Sequence, residues 1–259
     1  MKKVWNVLPA WLKVFIYFIV LSIATLIAGV VPMLNDLTFF FVISLAMSWL
    51  FLRAECLSLS TLRCWPNNRK NWRQFFAGIG IGALMLICTA IITFSLSGDA
   101  WHFNRHIDPL FIVMGFLFNL WSAYVQEFVF RGYPFQVLLR SYKPWIAQLI
   151  IAIPFGLMHV HKAMSPSDII VTMLTTGIGS LLFGLAYLKT KSLMLPLGIH
   201  LGWNFLQYLV PRTAGGIDKG LIIVAESNIV YGFSVVVLPY FVIMIIAFAL
   251  LFQCSKYWL

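Results

Sequence analysis

Residues 110–131 read LFIVMGFLFNLWSAYVQEFVFR: sixteen residues without a charge, then Gln126, Glu127 and, one helical turn later, Arg131. A run this long and this apolar crosses a bilayer as a helix, since a span needs about 20 predominantly apolar residues. An ionisable group in hydrocarbon costs roughly 2.5–3.5 kcal/mol on insertion scales, so a carboxylate and a guanidinium at that depth face a bundle interior and seek partners. Glu127 and Arg131, at i and i+4, share a helix face and can neutralise each other. The stretch predicts a membrane helix bundle with a polar centre.

The rest of the chain agrees. Its 259 residues are 61% hydrophobic and 10% charged, with a mean hydropathy of +0.92, against roughly 25% charged residues in soluble domains. Eight apolar segments lie near 11–31, 37–54, 74–97, 110–130, 144–162, 168–188, 192–210 and 229–252. Breakers separate them: Pro32 with Asn35, Pro66 with Asn67 and Asn68, Ser97-Gly98-Asp99, Ser165-Pro166 and Gly215-Gly216. The expected fold is all-α, a polytopic membrane helix bundle of about eight transmembrane helices. Residues 1–259 form a single membrane domain, with too little polar material for a soluble one. The apolar run from Val14 to Val31 behind Lys2 and Lys3 resembles a signal peptide, but it is long enough to span and no clear small-residue cleavage site follows. It reads as a retained first span.

The net charge of +10 does not predict nucleic-acid binding, because the basic residues sit at the ends of apolar stretches rather than in one stripe. They orient the chain instead. Lys2, Lys3, Lys13, Arg53, Arg63, Arg69, Lys70, Arg73, Arg140, Lys143, Lys189, Lys191 and Lys256 flank one set of ends; only Arg105, Lys162, Arg212 and Lys219 flank the other. Both termini are expected in the cytoplasm, with the protein in the plasma membrane of a bacterium and in contact with its lipid. Cys56, Cys64, Cys88 and Cys254 share no metal-ligand or disulfide-framework spacing and read as apolar fillers.

Of the eight acidic residues, Glu127 alone lies within an apolar stretch. Taken alone, Glu127 with Arg131 is as readily a structural ion pair as a functional one. Two further segments change the balance, one carrying His159 and the other His200 with Asn204 at i+4 on the same face. His161, at a segment end beside Lys162, is set aside as a functional residue. Depth supports a meeting of the first two segments. Glu127 precedes Tyr142 by 15 residues and His159 follows it by 17, so on antiparallel helices with a rise of 1.5 Å per residue both stand about 22–25 Å from the turn near 141–144.

Three stretches carry a family resemblance: Gln126-Glu127-Phe128-Val129-Phe130-Arg131, Phe155-Gly156-Leu157-Met158-His159 and His200-Leu201-Gly202-Trp203-Asn204. They resemble the motifs EExxxR, FxxxH and HxxxN of the CAAX protease and bacteriocin-processing family, also called the Abi family. The resemblance covers roughly residues 110–210. It implies intramembrane endoproteolysis of a peptide or lipidated protein by an activated water. The first Glu of EExxxR and His159 would polarise the water, His200 and Asn204 would stabilise the oxyanion, and Arg131 with Glu127 would hold the geometry.

This chain departs from the pattern at Gln126, where the family has Glu. An amide of nearly the same shape has no usable basicity, so catalysis is expected to be lost or impaired. The change is a silencing substitution, a natural non-catalytic member, or the sign of a mechanism with Glu127 as base. The last is weaker, because successive residues point about 100° apart on a helix. A zinc alternative is open: His159, His200 and either Glu127 or a carboxylate at 126 could supply three ligands, with water as the fourth. The non-enzymatic alternative is a membrane scaffold or a bacteriocin-immunity or regulatory protein. Gly78, Gly80 and Gly82 follow no strand and read as helix-packing residues rather than a phosphate loop.

Overall fold

The structure, a computed structural model, describes residues 5, 7–31, 34, 36–215, 219–225 and 231–253. Lys2, Lys3, Pro32, Asn35, Gly216, Cys254 and Lys256 lie outside the described residues. The helices are α1 (Ala10–Val30), α2 (Leu37–Ala54), α3 (Arg69–Ser97), α4 (Pro109–Arg131), α5 (Tyr133–Leu139), α6 (Pro144–Leu157), α7 (Pro166–Thr190), α8 (Met194–Leu209) and α9 (Phe233–Gln253). The protein is an all-α polytopic membrane bundle.

Every apolar segment carries a helix, and local chemistry sets the ends. Asp36 accepts from Phe39 N at the start of α2, and Ser165 with Asp168 closes a capping box on α7. Asn68 accepts from Asn71 N and so starts α3 at Arg69, ahead of the expected residue 74. Gly132 breaks the fourth helix, and α5 follows it with Pro134 in its first turn, where the missing N–H costs nothing.

Among the described residues six helices are long and apolar enough to cross a membrane, counting Pro109–Leu139 as one of 31 residues. The two remaining segments differ from the expected spans. Helix α6 has 14 residues and α8 has 16, rises of about 21 and 24 Å against a hydrocarbon core of about 30 Å. Helix α6 stops at Leu157, five residues short of expectation. Its last turn tightens, with His159 N bonding Gly156 O at 3.1 Å and Val160 N bonding Leu157 O at 3.1 Å, and the next residues are His161 and Lys162. Two strands were not expected: β1 (Trp101–Phe103) pairs antiparallel with β2 (Ile222–Val224), Trp101 opposite Val224. Three residues are too few to show alternation in a sequence.

The chain divides into two compact units, Met1–Asn67 with Tyr124–Leu193, and Asn68–Ala123 with Met194–Leu259; the division falls within α4. In the first unit α1 packs on α2 and α5, α5 on α6, and α6 on α7. The α6–α7 contact is close because Gly156 lies against the Met173 backbone, where an added Cβ would stand 3.3 Å from its carbonyl oxygen. At one end of this unit Glu55 accepts from Lys13 Nζ and Tyr133 Oη, each at 2.9 Å, and from Arg140 Nη1 at 2.6 Å. Burial alone would raise the Glu55 carboxyl, but these three donors outweigh it and hold the group below the usual carboxylate range.

In the second unit α3 runs along α8, and α9 packs on α3. Gly78 and Gly82 on α3 meet Gly198 and Gly202 on α8. A Cβ at Gly78 would strike Leu195 O and Gly198, one at Gly82 would strike Ile199 O and Trp203 N, and one at Gly202 would strike Ile79 O. These are two small-xxx-small pairs set face to face, the arrangement that lets membrane helices approach backbone to backbone. Gly80 has nothing within 4 Å of the place its Cβ would take. The packing reading of the glycines therefore holds for Gly78 and Gly82 and not for Gly80.

Candidate active site

In the first unit the polar residues of α4 are held from two other helices. Glu127 is 0% and Arg131 1% exposed. Their ion pair is long, 3.5 Å from Arg131 Nη1 to Glu127 Oε1. The shorter bonds of Arg131 go to α7, where Nη2 donates to Ser180 O at 2.8 Å and to Ser180 Oγ at 2.6 Å. Its guanidinium carbon also lies 4.6 Å from the Phe155 ring centroid on α6 and 5.3 Å from that of Phe183 on α7, within cation–π range. One side chain thus fastens α4 to α6 and α7 by charge, hydrogen bonds and ring contact. Gln126 is buried on the same helix, about 100° round from Glu127.

His159 follows α6, and its Nδ1 lies 2.8 Å from Phe155 O. That carbonyl is among those a helix C-terminus leaves without an amide partner. A carbonyl only accepts, so Nδ1 carries a proton, and in the neutral tautomer that leaves the lone pair on Nε2. The His159 and Phe155 ring centroids are 5.0 Å apart, so Phe155 touches Arg131 on one side and His159 on the other. The antiparallel register expected from depth is met, since Phe130 and Phe155 also pack at 5.0 Å. His161 is exposed.

His200 and Asn204 belong to the second unit, on α8. His200 is buried and Asn204 half-buried. At 100° per residue the Gly198–Gly202 stripe and the His200–Asn204 pair fall on opposite sides of α8. The glycines set α8 against α3, and the histidine and asparagine point the other way. Trp203, beside Asn204, packs at 5.5 Å on the Tyr240 ring of α9 and lies 5.7 Å from the Arg212 guanidinium carbon.

The structure thus sets Arg131 and His159 against Phe155, with Glu127 paired to Arg131, in one unit, and carries His200 and Asn204 on α8 in the other. Ser180 and Phe183 give no sequence signal, since they reach Arg131 from about 50 residues away. Among the described residues no three His, Cys, Asp or Glu side chains group as a metal site. Glu127, one of the two carboxylates weighed for the zinc alternative, is paired with Arg131.

A polytopic membrane bundle with a buried Glu–Arg pair on α4 and histidines after α6 and on α8 belongs to the class of membrane-embedded proteins with polar interior residues. Residues 108–206 match the family model described as "Type II CAAX prenyl endopeptidase Rce1-like". That likeness supports the CAAX protease and bacteriocin-processing family, a family of proteases, and the matched residues contain all three stretches. No curated protein and no solved structure matches the chain.

Proposed function

We propose that the chain is an intramembrane endopeptidase of the CAAX-protease type, acting on a prenylated protein or peptide, with Gln126 leaving it silent or impaired. Both termini lie in the cytoplasm in this reading, following the bias of basic residues. The observation that carries it is the orientation of His159. With Nδ1 bound to Phe155 O, Nε2 is the nitrogen that can hold a water by its lone pair. A glutamate at 126 would take one proton of that water as its oxygen attacks the scissile carbonyl carbon, then deliver the proton to the leaving amine as the C–N bond breaks. His200 and Asn204 take the role the resemblance implies, hydrogen bonding to the developing oxyanion. Glu127 is disfavoured as the base, because Arg131 engages its carboxylate.

The test is Gln126→Glu in the full chain, assayed on a farnesylated peptide ending in Cys-a-a-X. The expected result is cleavage at least ~10²-fold above the unaltered chain, abolished again by adding His159→Ala. A folded Gln126→Glu protein that binds the peptide and does not cut it overturns the enzymatic reading and favours the scaffold. Elemental analysis of both proteins tests the zinc alternative, for which the Gln126→Glu protein alone would carry about one zinc per chain.

A further inference from the structure

Arg212 lies beyond the segment that the family model matches, three residues after the end of α8 at Leu209. Its guanidinium nevertheless folds back along α8 to lie 5.7 Å from the Trp203 ring centroid, next to the turn that holds Asn204. Its Nη1 is buried and has no hydrogen-bond partner among the described residues. Leaving a buried guanidinium N–H unsatisfied carries the full desolvation cost of a charged donor. The groups described around it are the indole of Trp203, which packs on Tyr240, and the phenol of Tyr240. Neither is an anion at neutral pH, so among the described residues this guanidinium rests on an aromatic wall with one N–H left over.

A guanidinium in that state suits a planar, two-oxygen anion, which it grips with two parallel N–H bonds. A Cys-a-a-X substrate is distinguished by being the end of its chain, so it brings a free carboxylate three residues beyond the scissile bond. We propose that Arg212, stacked on Trp203 beside the His200–Asn204 face of α8, binds the C-terminal carboxylate of the peptide substrate. The inference rests on the endopeptidase reading and adds to it the reason that only a chain end is accepted.

The test is a binding measurement on the full chain with Gln126 in place, so that nothing is cut. Two dansylated probes ending in S-farnesyl-Cys-Val-Leu-Ser are compared, one a free acid and the other a C-terminal amide. The acid is expected to bind about 10- to 100-fold more tightly than the amide. Arg212→Gln should bring the acid down to the amide's affinity while leaving the amide unchanged, which also reports that the variant is folded. Arg212→Lys, keeping the charge without the fork, should lose part of the preference. Equal binding of acid and amide by the unaltered chain, or a preference that survives Arg212→Gln, overturns the carboxylate site and leaves the endopeptidase reading standing. Binding of neither probe overturns both.

Discussion

Arg131 carries more of the first unit's polar interior than its ion pair suggests. The 3.5 Å approach to Glu127 is its longest polar contact, and its short bonds to Ser180 and its two ring contacts are what tie α4 to α6 and α7. Removing one partner of a buried pair typically costs about 3–5 kcal/mol, because the other charge stays buried. Arg131→Ala is therefore expected to lower the yield of monodisperse protein in detergent well below that of His159→Ala, measured by size-exclusion chromatography. Arg131→Lys should recover little, because an ammonium cannot bond Glu127 and Ser180 at once while covering two rings. Equal yields for Arg131→Ala and His159→Ala would count against the structural role.

At the scale of helices, the α3–α8 contact decides where His200 and Asn204 point. Its two glycine pairs make a sharp contrast available. A Cβ at Gly82 meets the backbone of Ile199 and Trp203, which cannot swing aside, whereas one at Gly80 meets nothing within 4 Å. Gly82→Ala is expected to destabilise by about 1–3 kcal/mol or more, the usual range for overpacking. Gly80→Ala should be neutral or slightly stabilising, since alanine is the better helix former. Thermal unfolding in detergent followed by tryptophan fluorescence separates the two, and a similar loss at both positions would contradict the face-to-face packing. The shortness of α6 and α8 belongs to this scale as well. Both are below spanning length.

At the scale of the molecule, Glu55 joins α1, α5 and the turn after α5 at one end of the first unit. Its carboxyl is more acidic in the folded chain than the ordinary value, so the folded state binds fewer protons there than the unfolded state. That stability is fully present above the ordinary glutamate pKa of about 4.3 and is lost as the pH falls through the lower, folded value. Thermal stability in detergent should accordingly fall on acidification below about pH 4.3. Glu55→Gln should lower stability at neutral pH and flatten that acid limb, and an unchanged acid limb would assign the loss to other groups.

The sequence by itself determined the helical class, the eight apolar segments and the burial of Gln126, Glu127, Arg131 and His200. Each of those rests on composition or on spacing within one helix: apolar length for the spans, i and i+4 for Glu127 with Arg131 and for His200 with Asn204. The three motifs were legible for the same reason, being local strings. Tertiary structure alone decided what those residues touch. Ser180 reaches Arg131 across 49 residues, and Glu55 reaches Lys13 across 42, Tyr133 across 78 and Arg140 across 85, separations at which no periodicity links one residue to another. The end of α6 at Leu157, the pairing of Gly82 but not Gly80 with α8, and the return of Arg212 to Trp203 were hidden likewise. Each is fixed by which surface packs against which, and that is a property of the folded chain rather than of any stretch of it.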